Sequence, residues 1–150
     1  MQFPPARVPP TARYYDDMDN IPLGAMASRG ILVTAEETAN FIGVENVRVL
    51  STPHMIAYME LTARDAIKPL LPEGWDCVGT VVDIRHLAAT PIGMSVTFTA
   101  RVTGVDGNRV TFHVEAHDEK EKIGEGVHER FIIDVNRFAT RLAMKKESAS

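Results

Sequence analysis

One long helix followed by nothing but alternating strands is the feature that most limits what this chain can fold into. Residues 52–71, TPHMIAYMELTARDAIKPLL, carry an apolar stripe at helical spacing, and the segments after them alternate apolar and polar with a period of two. Such alternation marks strands with one dry face. A sheet with one dry face must bury it against another layer. Only this helix is long and striped enough to serve, so the strands have to wrap around it.

The strands can be read individually. In GTVVDIRHL (79–87), Val82, Ile84 and His86 share a face and Asp83 and Arg85 take the other. GMSVTFTARVTG (93–104) puts Met94, Val96, Phe98, Ala100 and Val102 on one side. Asp106–Gly107 is a hairpin signal, and RVTFHVEAH (109–117) then buries Val110, Phe112, Val114 and Ala116. KIGEGVHERFIIDV (122–135) completes the set, while GILVTAEETANFIG (30–43) supplies a short strand ahead of the helix. The order is strand, helix, then four antiparallel strands. This predicts an α+β hotdog fold, a curved antiparallel sheet wrapped around one long central helix. Its domain would span 29–138, between an irregular Pro-rich arm at 1–28 and a polar tail at 139–150.

Within the helix, Glu60 is out of place. Each helical residue advances by about 100°, which sets Glu60 between Ile67 and Leu71 at the edge of the apolar arc. A buried, unpaired carboxylate costs several kcal/mol or shifts its pKa to neutralise. One resolution is an ion pair with Arg64, a turn further on. Another is chemistry. His86 points from its strand towards the same core, and an inward Glu with an inward His makes an acid–base couple. Gly79, on the strand that carries His86, lets a substrate approach the backbone and offers an N–H to a developing oxyanion. Thr52 suits the helix N-cap, with Pro53 in the first turn. If Thr52 instead acts with Glu60, the roughly 12 Å that separates eight helical residues requires two chains to complete one site.

The remaining histidines are less informative. His113 and His117 lie on a polar strand face, and four strand residues span roughly 13 Å, too far for joint ligation of one metal. Neither a metal cluster nor a G-x-S-x-G nucleophile elbow is evident. A net charge of −4 without a dense basic cluster argues against nucleic acid. No apolar run approaches the roughly 18 residues of a membrane span, and the N-terminus has no secretory h-region. The single cysteine, Cys77, excludes an internal disulfide and fits a reducing cytoplasm.

From about residue 51 to 134 the chain resembles the fluoroacetyl-CoA thioesterase group of hotdog thioesterases. The likeness is carried by the Thr–x7–Glu spacing at 52–60, by GTxVxxxHxAATPxG from residue 79, and by VxAHDxxxxIGxGxHER from residue 114. The resemblance implies a homodimer, with a higher oligomer left open, that hydrolyses small acyl-CoA thioesters at a subunit interface. It implies Thr52, Glu60 and His86 as catalytic residues, Gly79 as the backbone donor to the thioester oxygen, and Arg130 as a substrate-binding contact. No cofactor or metal is called for, since CoA is part of the substrate. The loop ahead of Thr52 departs from the group: Gly43 and Asn46 stand near the places where fluoroacetyl-specific members carry bulky aromatics. Two other classes share the architecture, a hotdog acyl-CoA dehydratase or hydratase and a non-catalytic acyl-CoA binding module. Release of free CoA thiol separates the hydrolase from both.

Overall fold

The computed structural model describes residues 21–40 and 42–149. Most of the Pro-rich arm therefore lies outside the described residues. Strand β1 (Met26–Leu32) comes first, then the long helix α1 (Thr52–Ile67), β2 (Trp75–His86), β3 (Ser95–Asp106), β4 (Arg109–Asp118), β5 (Lys122–Asp134) and helix α2 (Val135–Ser148). β1 opens inside the segment expected to be an arm, and it pairs antiparallel with β3 from Met26↔Arg101 to Leu32↔Ser95.

The strands form one five-stranded sheet in the order β1-β3-β4-β5-β2. It curves around α1 as the patterning required. Val96, Phe98, Ala100 and Val102 of β3 and Val110, Phe112, Val114 and Ala116 of β4 are all buried. They meet Met55, Met59, Thr62, Ala63, Ala66 and Ile67 of α1. The buried stripe is rotated slightly from the arc read in the sequence. Thr62 joins it because its hydroxyl donates to the Tyr58 carbonyl at 2.7 Å, whereas Leu70 is largely exposed. The α-helix gives way after Ile67 to a 3₁₀ turn at Lys68–Leu70, where Pro69 has no N–H to continue the ladder.

β2 pairs with β5 rather than β3, so it forms a sheet edge. Its register is broken once, by a bulge between Gly79 and Val81. α2 begins inside the residues assigned to the domain and runs through those expected to form a polar tail. Asp134 caps it, accepting from the Asn136 and Arg137 N–H groups, and Lys145 and Lys146 complement the dipole at its far end.

Candidate active site

The first turn of α1 holds one pair. Ser51, not Thr52, is the N-cap: its hydroxyl accepts from the His54 N–H at 3.2 Å. The Thr52 side chain is thereby left for another partner, and its Oγ1 lies 2.7 Å from Nδ1 of His86. His86 Nε2 is buried and has no hydrogen-bond partner among the described residues. Burial pushes the His86 pKa down, against a smaller upward pull from the Ala88 backbone, so the ring is neutral at pH 7. Both residues line a cleft of about 500 Å³ whose other walls are mostly apolar, among them Val49, Leu50 and Leu87, with Ser51 beside Thr52. A hydroxyl bonded to a neutral imidazole, in a mostly apolar cleft, is a nucleophile–base or proton-relay pair.

Glu60 lies two turns away. Its counter-ion is not Arg64, which makes a two-pronged bond to Asp76 at 2.8 and 2.7 Å. Arg130, reaching in from β5, places Nη1 3.6 Å from Glu60 Oε2. The Arg130 guanidinium is nearly buried and is fixed by further bonds: Nε donates to Cys77 Sγ and Nη2 to the Cys77 carbonyl, both at 3.0 Å. Cys77 thus serves Arg130, and burial raises its thiol pKa, the opposite of a nucleophile's need. Gly79 faces the Glu60 carboxylate. A Cβ there would collide with Glu60 Oε2 and come within 3.2 Å of His128 Cε1.

Within one chain, then, Thr52 and His86 meet, and Glu60, Gly79 and Arg130 meet, but the two groups remain apart along the helix. The direct Glu60–His86 couple is not formed inside the protomer. Sequence reading expects His128 to be partly covered and gives it no role; it is 1% exposed beside Arg130. Its signal was a strand face shared with Arg130 and with the glycines at 124 and 126. On the outer face of the sheet, His113 and His117 both approach Glu115, at 2.8 and 3.6 Å. Ligand atoms of His113, Glu115 and Glu125 lie within 4.8 Å of one another, a grouping the strand spacing alone did not suggest. Lys122 already sits among them, 2.7 Å from Glu125.

The sequence profile of the fluoroacetyl-CoA-specific thioesterases (FlK) matches residues 33–136. The chain belongs to this family. Fluoroacetyl-CoA thioesterase of Streptantibioticus cattleyicolor is 38% identical over 97 residues, covering 65% of this chain and 70% of that protein. The solved structure of the fluoroacetyl-CoA thioesterase FlK superposes with a TM-score of 0.75 at 32% identity, over 83% of this chain and 96% of that one. A Thermus thermophilus protein described as a thioesterase superfamily member gives 0.79 at 36% identity, covering 87% and 97%. A hot-dog-like protein from Thermanaerovibrio acidaminovorans gives 0.78 at 26%, covering 86% and 96%. As a member of the FlK family the chain is a thioester hydrolase with a hotdog fold. No described helix is long and apolar enough to cross a membrane.

The Gly79 contact carries a prediction of its own. In Gly79→Ala the shortest contact is with the far end of a flexible side chain, so the carboxylate can swing aside, but the His128 ring 3.2 Å from the new Cβ must also give slightly. The carboxylate then leaves Arg130. Turnover should fall at least about tenfold, with the thermal midpoint lowered modestly by the contact with His128. A variant as active as wild type would show that the Glu60–Gly79 contact is incidental.

Proposed function

We propose that this protein hydrolyses a small acyl-CoA thioester to the free acid and CoA, at a site that two protomers complete together. The observation that carries the reading is the division of the family-matched residues into two half-sites. Thr52 and His86 share a hydrogen bond at one end of α1, and Glu60, Gly79 and Arg130 gather two turns on. Along β2, Gly79 and His86 are separated by roughly 23 Å at about 3.3 Å per residue. One thioester cannot touch both within one chain.

The edge position of β2 supplies the remedy. An edge strand offers a row of backbone groups to a second chain, and Val81 and Val82 along it, with Leu87 just past its end, are 40%, 47% and 49% exposed. Two copies paired antiparallel about a twofold axis near Val82 would bring His86 of each opposite Gly79 of the other. That homodimer merges the half-sites; a tetramer would be two such dimers.

A thioester carbonyl is already electrophilic, so the site must chiefly hold the oxyanion and supply an activated oxygen. The Gly79 N–H holds the thioester oxygen. Glu60, anchored by Arg130, acts on the carbonyl carbon, either directly or through a water that it deprotonates. Neutral His86 takes the proton that water gives up through Glu60 and hands it to the thiolate as the C–S bond breaks, with Thr52 orienting the imidazole; in the direct route the acyl–Glu60 anhydride is cleaved by that same water. Water ends as the hydroxyl of the acid and the proton of the thiol. Gly43 and Asn46 stand near the places where fluoroacetyl-specific members carry bulky aromatics, so selection for a fluoroacetyl group is not expected.

A panel of acyl-CoAs with a free-thiol readout tests this. CoA release supports the hydrolase. An altered acyl chain with the thioester intact would assign a dehydratase or hydratase, and binding without turnover a binding module. The pH profile is a second check. Because desolvation lowers the His86 pKa, kcat/KM should rise through a midpoint below 6.5 and stay level to about pH 8. An acid limb centred at or above 6.5 would contradict a neutral, buried His86.

A further inference from the structure

Gly79 and His86 differ by seven positions on one strand. Side chains alternate along a strand, so an odd separation puts two residues on opposite faces. Yet both face inward here: Gly79 abuts Glu60 and His86 bonds Thr52, and both partners project from α1. The bulge between Gly79 and Val81 reconciles the two. It inserts Thr80 without a partner and switches the inward face from odd to even numbers. Trp75, Cys77 and Gly79 face in before it, and His86 after it. A bulge re-aims the strand in this way at a local cost in pairing, so something must hold it.

We propose that His128 is a positioning residue for hydrolysis, fixing the Gly79–Val81 bulge with one ring nitrogen and the Arg130–Glu60 pair with the other. The inference rests on the hydrolytic reading above. His128 Nδ1 lies 2.7 Å from the Val81 carbonyl. A carbonyl only accepts, so Nδ1 carries the proton. Nε2 is then a lone pair, and Arg130 Nη1 donates to it at 3.3 Å. The same Nη1 is the nitrogen nearest Glu60 Oε2, at 3.6 Å. The ring also forms the floor beneath Gly79, where a Cβ would sit 3.2 Å from Cε1. Phe112 stacks beside it with centroids 6.1 Å apart. Burial lowers the His128 pKa and so preserves the lone pair that Arg130 requires. On the far side of the bulge the Thr80 hydroxyl donates to the Glu129 carbonyl at 3.2 Å, a second and weaker brace. His128 therefore ties the strand carrying Gly79 to the arginine that anchors Glu60, without touching the substrate itself.

Two measurements test this, and only one uses turnover. In ¹⁵N NMR of the imidazoles, His128 should show the Nδ1–H neutral tautomer across neutral pH; an Nε2–H tautomer would overturn the geometry whatever the activity. For kinetics, His128→Phe keeps the stacking and volume but removes both bonds. Its kcat should fall at least tenfold per folded molecule, with KM changed less than threefold. His128→Asn and His128→Gln can each restore one bond, to Val81 and to Arg130 respectively, so at least one should recover part of the loss. Wild-type turnover in the Phe variant, or no recovery by either amide with all three thermal midpoints lowered alike, would reduce His128 to packing. Absence of CoA release by the wild-type enzyme would instead count against the hydrolytic reading, leaving the NMR result to decide the His128 geometry.

Discussion

Glu60→Gln should cut turnover at least about a hundredfold, the usual scale for losing a general base or a carboxylate nucleophile. The substitution keeps the side chain's length and shape, so it isolates charge and basicity. Its structural consequence should be modest. Arg130 loses a counter-charge 3.6 Å away, but its bonds to the Cys77 carbonyl and thiol and to His128 remain. Glu60 is also not fully enclosed within the protomer, its side chain being 39% exposed. The variant should therefore fold, with circular dichroism and thermal midpoint close to wild type, and release CoA from no member of an acyl-CoA panel at an appreciable rate. Turnover within a few-fold of wild type would assign Glu60 to structural duty as the partner of a nearly buried arginine.

What could be read from the sequence follows from where its pattern was redundant. Strands β3 and β4 repeat their alternation often enough that every predicted buried residue from Val96 to Val102 and from Val110 to Ala116 is buried. A one-residue slip there would expose the whole set. The match of one striped helix to one dry sheet face then left a single arrangement. The site was legible only as a set of residue types. Which of two adjacent hydroxyls caps α1 is decided by backbone geometry, since Ser and Thr both serve. Ser51 took the cap, and that freed Thr52 for His86. The Arg64 alternative for Glu60 was sound by helical spacing, but Asp76 lies closer in space. Arg130 reaches Glu60 across 70 positions, through the β2–β5 register. The bulge that sets that register had no sequence signal beyond a glycine.

The second large effect tests the division of the site between chains. Glu60→Gln and His86→Ala should each be nearly inactive alone, because each removes one half of every site. In a mixed dimer the outcome depends on which chain supplies which half. Suppose one site takes Thr52 and His86 from one protomer and Glu60 and Gly79 from the other. A dimer that pairs one Glu60→Gln chain with one His86→Ala chain then has one site with both defects and one with neither. Random pairing makes half of the dimers mixed, each with one working site of two, so co-refolding the inactive variants should restore about a quarter of wild-type activity. A site built within a single protomer allows no such recovery, since every chain carries a defect. The geometry favours recovery: α1 holds Thr52 and Glu60 roughly 12 Å apart, and β2 holds His86 and Gly79 farther apart still. Neither element can bend enough to close those gaps without losing the helix or the sheet edge, whereas a twofold axis at that edge closes both at once.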